Sequence, residues 1–184
     1  MERVNPSARR DAYGSRINRV HSPVRAYSIP TLSVMAASIL PFFFVSGGVA
    51  IIPPLGFLML LGWRLVRPGL LPVWAGFPLG LFDDLFSGQP FGSAIFLWSA
   101  AVIAIEITET QLPRRSFAQD WTIFGLIILA YIFSAALLSG SDVSLLIILA
   151  LGPQALLSVL LFPIIARMVA RLDRIRLKRV RRVH

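Results

Sequence analysis

Of 184 residues, 56% are hydrophobic, only 15% are charged and none is cysteine; with a mean hydropathy of +0.74 this excludes an ordinary soluble domain and reads as one polytopic membrane domain. Without cysteine there is neither a disulfide framework nor a thiolate metal site. The formal charge of +9 does not point to nucleic acid, because the basic residues occupy two tails and two short loops flanking long apolar blocks, the distribution that membrane topology sets.

Residues 1–29 hold six arginines among Pro6, Gly14, Ser15 and Pro23 with little apolar periodicity, so they read as a basic, disordered cytoplasmic tail. The first apolar run begins near Ile29, and no small-residue cleavage site follows a short apolar core, which predicts an uncleaved first membrane helix. His21 and His184 lie in polar tails away from any cluster of ligands, and no metal or other cofactor is expected.

Three apolar blocks follow, Pro30 to Trp63, Leu70 to Thr108 and Trp121 to Ile165. As continuous helices they would run about 50 to 68 Å, well beyond the thickness of the hydrocarbon layer, so each is expected to cross twice. Turn-forming residues interrupt each block near its middle: Ser46-Gly47-Gly48, Ser87-Gly88-Gln89-Pro90 and Ser139-Gly140-Ser141-Asp142. The expected fold is therefore all-α, with six transmembrane helices arranged as three hairpins over residues 30–166. Arginines precede the first block, separate the blocks as Arg64, Arg67, Arg114 and Arg115, and follow the last span, so a six-span path puts every Lys and Arg on one side. The positive-inside rule makes that side, with both termini, cytoplasmic. Residues 167–184 continue the last span with apolar residues among the arginines. They are expected to lie along an anionic inner leaflet through Arg171, Arg174, Lys178 and Arg179, or to serve as a plain stop-transfer anchor.

The second block raises the functional question, because its apolar run carries adjacent aspartates, Asp83 and Asp84. Gly76, Gly80, Asp84, Gly88 and Gly92 recur every four residues, and Gly76 with Gly80 forms a small-xxx-small pair that lets a neighbouring helix approach closely. Gly88 and Pro90 are expected to break the helix just after Asp84. Asp84 then either meets water at a helix end or turns back to accept hydrogen bonds from backbone N–H groups of the Ser87–Gly92 turn. Elsewhere, Glu106 and Glu109 share a helix face and are expected to pair with Arg114 or Arg115, and Gln154 is expected to face the bundle from a kink at Pro153.

The segment Gly80-Leu81-Phe82-Asp83-Asp84-Leu85-Phe86-Ser87-Gly88-Gln89-Pro90-Phe91-Gly92 resembles the signature of the MreD family of rod shape-determining membrane proteins, with Asp84 at the family aspartate and Gly80, Ser87, Gly88, Pro90 and Gly92 at its small and turn positions. Gln154, Leu157 and Phe162-Pro163 weakly echo the family's last span. The chain departs from the pattern in Phe91, in the additional Asp83 and in its long basic N-terminal tail. The resemblance implies a non-enzymatic inner-membrane scaffold with a fold similar to the membrane substrate-binding subunits of energy-coupling vitamin transporters. It further implies binding of an MreC-like single-span protein and work beside MreB, RodA and its partner transpeptidase in side-wall peptidoglycan synthesis. Under it, Asp84, Ser87, Gly88, Gln89, Pro90 and Gly92 form a partner surface or pocket, and Gly76 and Gly80 pack helices.

Two other functions compete. A vitamin-binding transport subunit has the same size and would draw its site from Asp83, Asp84, Gln89, Trp98, Tyr131, Asp142 and Gln154. An intramembrane aspartyl peptidase would pair Asp84 with Asp142, but the chain lacks a GxGD-type context and Asp142 reads as a helix cap.

Overall fold

The structure, a computed structural model, describes residues 23–46, 52–111, 116–140 and 145–176, and these residues form helices and their connections without a strand. Among the described residues six α-helices follow one another: α1 Pro23–Ser46, α2 Leu55–Val66, α3 Gly76–Asp84, α4 Ser93–Gln111, α5 Phe117–Leu138 and α6 Leu145–Arg176, with a 3-10 turn Val73–Ala75 leading into α3. Residues 1–22 of the basic N-terminal tail, Gly47-Gly48, Arg114, Arg115, Asp142, Lys178 and Arg179 lie outside the described residues, whereas residues 23–29, expected to be disordered tail, form the first turns of α1.

Helix α2 explains the arrangement. Its sequence LGFLMLLGWRLV offers no polar stripe before Arg64, and a helix that is apolar all round can only be stable when surrounded. Every residue from Gly56 to Arg64 is buried. Around it α3, α1, α6, α5 and α4 close a ring, each touching the next, while α2 itself packs chiefly on α1 and α6. Trp63 anchors one side, its indole N–H donating to Ser33 Oγ of α1 at 2.8 Å. Phe57 anchors the other, stacked on Tyr131 of α5 at 4.1 Å between centroids and tilted against Trp98 of α4 at 5.9 Å.

Helix lengths are unequal for reasons written in the prolines. Pro53-Pro54 hold the chain out of helical conformation until Leu55, and Arg67-Pro68 ends α2, so it has 12 residues. Pro72 and the Gly88-Pro90 turn bracket α3, which has 9. These two helices are about 18 and 14 Å long, short of the ~30 Å of hydrocarbon. By length and composition, α4, α5 and the Leu151–Arg176 part of α6 are able to cross a membrane, and α1 contributes a shorter apolar stretch, Tyr27–Phe43. Among the described residues the third block alone thus holds two helices long and apolar enough to cross, whereas the first two each pair a longer helix with a short one. Helix α5 starts at a capping box in which Ser116 Oγ accepts from the Gln119 amide and Gln119 Oε1 accepts from the Ser116 amide. Helix α6 runs unbroken through Pro153 and Pro163, and Gln154 Nε2 donates to the Ile52 carbonyl at 2.8 Å, occupying a backbone acceptor just before the prolines that delay α2.

One end of the bundle is tied by charge. Arg64, only 1% exposed, donates to Glu106 Oε2 and to the Leu71 carbonyl at 2.9 Å, with Glu109 Oε2 3.8 Å away. Among the described residues Glu106 and Glu109 thus meet an arginine of the central helix, brought beside them because α2 and α4 end at the same level, while the expected partners Arg114 and Arg115 lie outside the described residues. Asp173 of α6 accepts from Arg67 Nε at 2.9 Å and from Arg176. A buried arginine without its carboxylates would leave an uncompensated charge, so these pairs fix the arginine end of α2 against α4 and α6.

Helices α3 and α4 meet along two glycines. A Cβ on Gly80 would stand 2.6 Å from the Ala94 carbonyl oxygen and 2.8 Å from Ile95 Cα; one on Gly76 would stand 3.0 Å from Ser99 Cα and from the Trp98 carbonyl oxygen. Backbone cannot yield as a side chain can, so the pair sets the interhelical distance. Gly80→Ala is expected to destabilise the detergent-solubilised protein by about 1–3 kcal/mol through overpacking. Gly125→Ala, whose Cβ would meet only a Val159 methyl at 3.7 Å, is expected to be close to neutral. Chemical unfolding of both variants checks this, and equal stabilities would contradict it.

Candidate functional site

Helix α3 ends at Asp84 with two carboxylates at its C-terminus, where the helix dipole disfavours negative charge. Each acid is placed beside the N-terminus of another helix, and for Asp84 the amides of that helix offset the penalty. The Asp84 side chain turns back across the Ser87–Gly92 loop: Oδ2 accepts from the Gly92 amide at 2.9 Å and the Ile95 amide at 3.3 Å, and Oδ1 accepts from the Ala94 amide at 2.9 Å. Ser93 Oγ lies 3.4 Å from Oδ1 and donates to Gln89 Oε1 at 3.2 Å. A helix starting at Gly92-Ser93 has no side chain of its own aimed at its first amides, so the carboxylate of the preceding helix caps it. Asp84 thus turns back as in the second of its two readings, but of the three amides only that of Gly92 belongs to the turn, and those of Ala94 and Ile95 belong to α4.

The turn between is built for this cap. Asp83 closes α3 by accepting from the amides of Phe86 at 2.9 Å and Ser87 at 2.8 Å through its carbonyl, and Pro90 accepts from the Ser93 amide at 3.0 Å. Gly88 has φ +68° and Gly92 φ +94°, conformations that side chains strain, and both stand in open space, so conformation rather than room demands glycine here. Ser87 Oγ accepts from the Gln89 amide at 3.4 Å. Leu85 and Phe91, the latter 72% exposed, flank the turn on its outer surface.

Asp83 points the other way. Its Oδ1 comes within 3.1 Å of where a Cβ on Gly56 would sit, beside the first turn of α2, and the Ser38 hydroxyl lies against the same spot. Gly56 is what lets α1 and α3 meet over the start of the central helix. Tyr131 completes the level, with Asp83, Asp84, Gln89 and Trp98 as its polar neighbours. The structure thus brings together Asp83, Asp84, Gln89, Trp98 and Tyr131 from the candidate set, while Gln154 is engaged with Ile52. Sequence reasoning missed Ser38, Gly56 and Arg64: a small polar residue and a glycine inside apolar helices carry no local signal, and Arg64 reads as a loop cation until its helix is known to be central.

An apolar groove lies elsewhere. About 800 Å³ in volume, it runs between α1 and α3, lined by Tyr27, Met35, Trp74, Pro78, Phe82 and Leu85 among others, and its walls are almost wholly apolar. Arg171 and Arg174 are exposed on α6. Among the described residues no group of three His, Asp or Glu stands where it could hold a metal ion. Chemically, both Asp84 oxygens are committed to helix amides, an arrangement suited to holding a shape and not to activating water.

These features define a helical membrane protein whose buried carboxylates organise helix junctions. The family model of the rod shape-determining protein MreD matches residues 25–175, and the chain belongs to that family. It is accordingly a rod shape-determining membrane protein of a structural, shape-determining kind. No curated protein and no solved structure matches it.

Asp84→Ala removes the acceptor for three amides at once and is expected to cost roughly 2 kcal/mol or more, the upper part of the capping range. Asp84→Asn, retaining one oxygen acceptor, is expected to fall between. Unfolding midpoints of the two variants against the parent protein check the order, and an Asp84→Ala variant as stable as the parent would contradict it.

Proposed function

We propose that the protein is a non-enzymatic, six-span component of the bacterial inner membrane, with both termini cytoplasmic, that serves the cell-elongation complex as a scaffold. Its partner is an MreC-like single-span protein, and through it the chain acts with MreB, RodA and its transpeptidase on side-wall peptidoglycan synthesis. Family membership supports the system to which it belongs. The observation that carries the site is the Asp84 cap: a turn held rigidly by a buried carboxylate presents Ser87, Gly88, Gln89 and Pro90 in a fixed shape, with Leu85 and Phe91 exposed beside them. A preformed surface loses little freedom on binding, and exposed aromatic anchors on such surfaces contribute disproportionately to affinity.

The short α2 and α3 serve this reading as the inner half of the bundle, completed toward the outside by the non-helical residues 52–54 and by the turn. The arginine end then faces the cytoplasm, where Arg171 and Arg174, with Lys178 and Arg179 beyond them, meet anionic lipid of the inner leaflet. No nucleic-acid role follows from the charge.

Co-purification tests the scaffold reading. The tagged protein, gently solubilised from its own host, is expected to bring down a single-span MreC-like protein. Phe91→Lys is expected to keep the parent's stability to within about 0.5 kcal/mol, as exposed substitutions do, yet to lose most of that recovery. Recovery of cytoplasmic ATPase subunits with a second transporter membrane subunit would overturn the reading, and undiminished partner recovery with Phe91→Lys would overturn the site.

A further inference from the structure

The level of the Asp84 turn along the bundle has a consequence for the bilayer. Tyr131 stands beside Gln89, and α5 continues to Leu138, about 10 Å farther at 1.5 Å per residue. Ser38 stands beside Asp83, and α1 continues to Ser46, about 12 Å farther. From the opposite side, Ser93 is about 20 Å above the Arg64–Glu106 pair along α4. The α3–α4 turn is thus recessed by about a third of the hydrocarbon thickness below the ends of its neighbours.

The turn cannot be covered by lipid tails at that depth without penalty. The amides of Gly88 and Phe91 and the carbonyls of Ser87 and Gly88 have no hydrogen-bond partner among the described residues, and Ser87, Gly88 and Pro90 are exposed. Irregular backbone with unpaired polar groups is not tolerated against hydrocarbon, and each such group costs several times what a bilayer pays per ångström of thickness mismatch. The groups are several and the recess is shallow, so the smaller penalty is for the bilayer to yield.

We propose that the protein indents the outer leaflet at the α3–α4 edge, so that water and headgroups descend about 10 Å to reach the Ser87–Gly92 turn, with Leu85 and Phe91 seated at the depressed boundary between headgroups and tails. The interaction surface is this edge and its partner is the bilayer itself. The inference rests on the membrane-crossing reading given above. It also describes how a partner from outside reaches a turn that lies below the nominal membrane surface.

Because the chain has no cysteine, single-cysteine variants report accessibility cleanly. Phe91→Cys in the turn, Leu138→Cys at the end of α5 and Leu129→Cys, exposed on α5 at about the turn's level, leave the packed interior untouched. Each is reconstituted alone in lipid nanodiscs and treated with a membrane-impermeant maleimide. Phe91→Cys is expected to react within about threefold of the Leu138→Cys rate and about tenfold or more faster than Leu129→Cys, because only the turn is wetted at that depth. Phe91→Cys reacting as slowly as Leu129→Cys, while Leu138→Cys reacts fast, would overturn the indentation and leave the membrane-crossing reading standing. Leu129→Cys reacting as fast as Leu138→Cys would overturn both, since that level would then lie in water around the whole bundle.

Discussion

A carboxylate shared between the end of one helix and the start of the next governs this protein. Asp84 terminates α3 and caps α4, and in doing so fixes the angle, register and loop conformation of the hairpin between them. The glycines act on the same junction from below: Gly76 and Gly80 bring α3 against the α4 backbone, which is what places the carboxylate within reach of the α4 amides. Remove the close approach and the cap has nothing to cap; remove the cap and α4 begins with amides that no other side chain among the described residues is placed to accept from.

The neighbouring aspartate extends the same logic to the centre of the bundle. Asp83 lies at the first turn of α2, where Gly56 leaves room for it and for Ser38, so adjacent residues of α3 address the N-termini of two different helices. At the other end of α2, Arg64 is held by Glu106 and Glu109. The central helix therefore has a carboxyl group beside its N-terminus and a cation near its C-terminus, the first supplied and the second neutralised by the α3–α4 hairpin. Polar groups thus hold the two ends of an otherwise apolar central helix, the turn at one and the ion pairs at the other, a geometry suited to a scaffold whose outer surface must hold its shape.

Much of this was legible in the sequence, and the rest was hidden for physical reasons. The all-helical architecture follows from the long apolar blocks, and the breaks at Gly88 and Pro90 locate the end of α3 at Asp84. The four-residue glycine spacing marks the α3 face that meets α4. Helix length was harder: apolar block length counts residues, whereas Pro53-Pro54, Pro68 and Pro72 spend part of each block outside helix, so α2 and α3 come out short. The central position of α2 shows in hindsight as the lack of any polar stripe, but a membrane helix facing lipid is just as uniformly apolar. That ambiguity concealed the role of Arg64 and of Gly56. The choice between the two readings of Asp84 also needed three dimensions, since a helix-ending acid next to a Gly-Pro turn satisfies either.

The central claim is that Asp84 holds the start of α4, and amide hydrogen exchange across residues 92–95 tests it most directly. In the parent protein in detergent, the amides of Gly92, Ala94 and Ile95 are predicted to be strongly protected although they belong to the first turn of a helix. In Asp84→Ala that protection is predicted to vanish while exchange in α5 is unchanged. Equal protection of residues 92–95 in both proteins would mean that something other than this carboxylate fixes the junction, and would contradict the account.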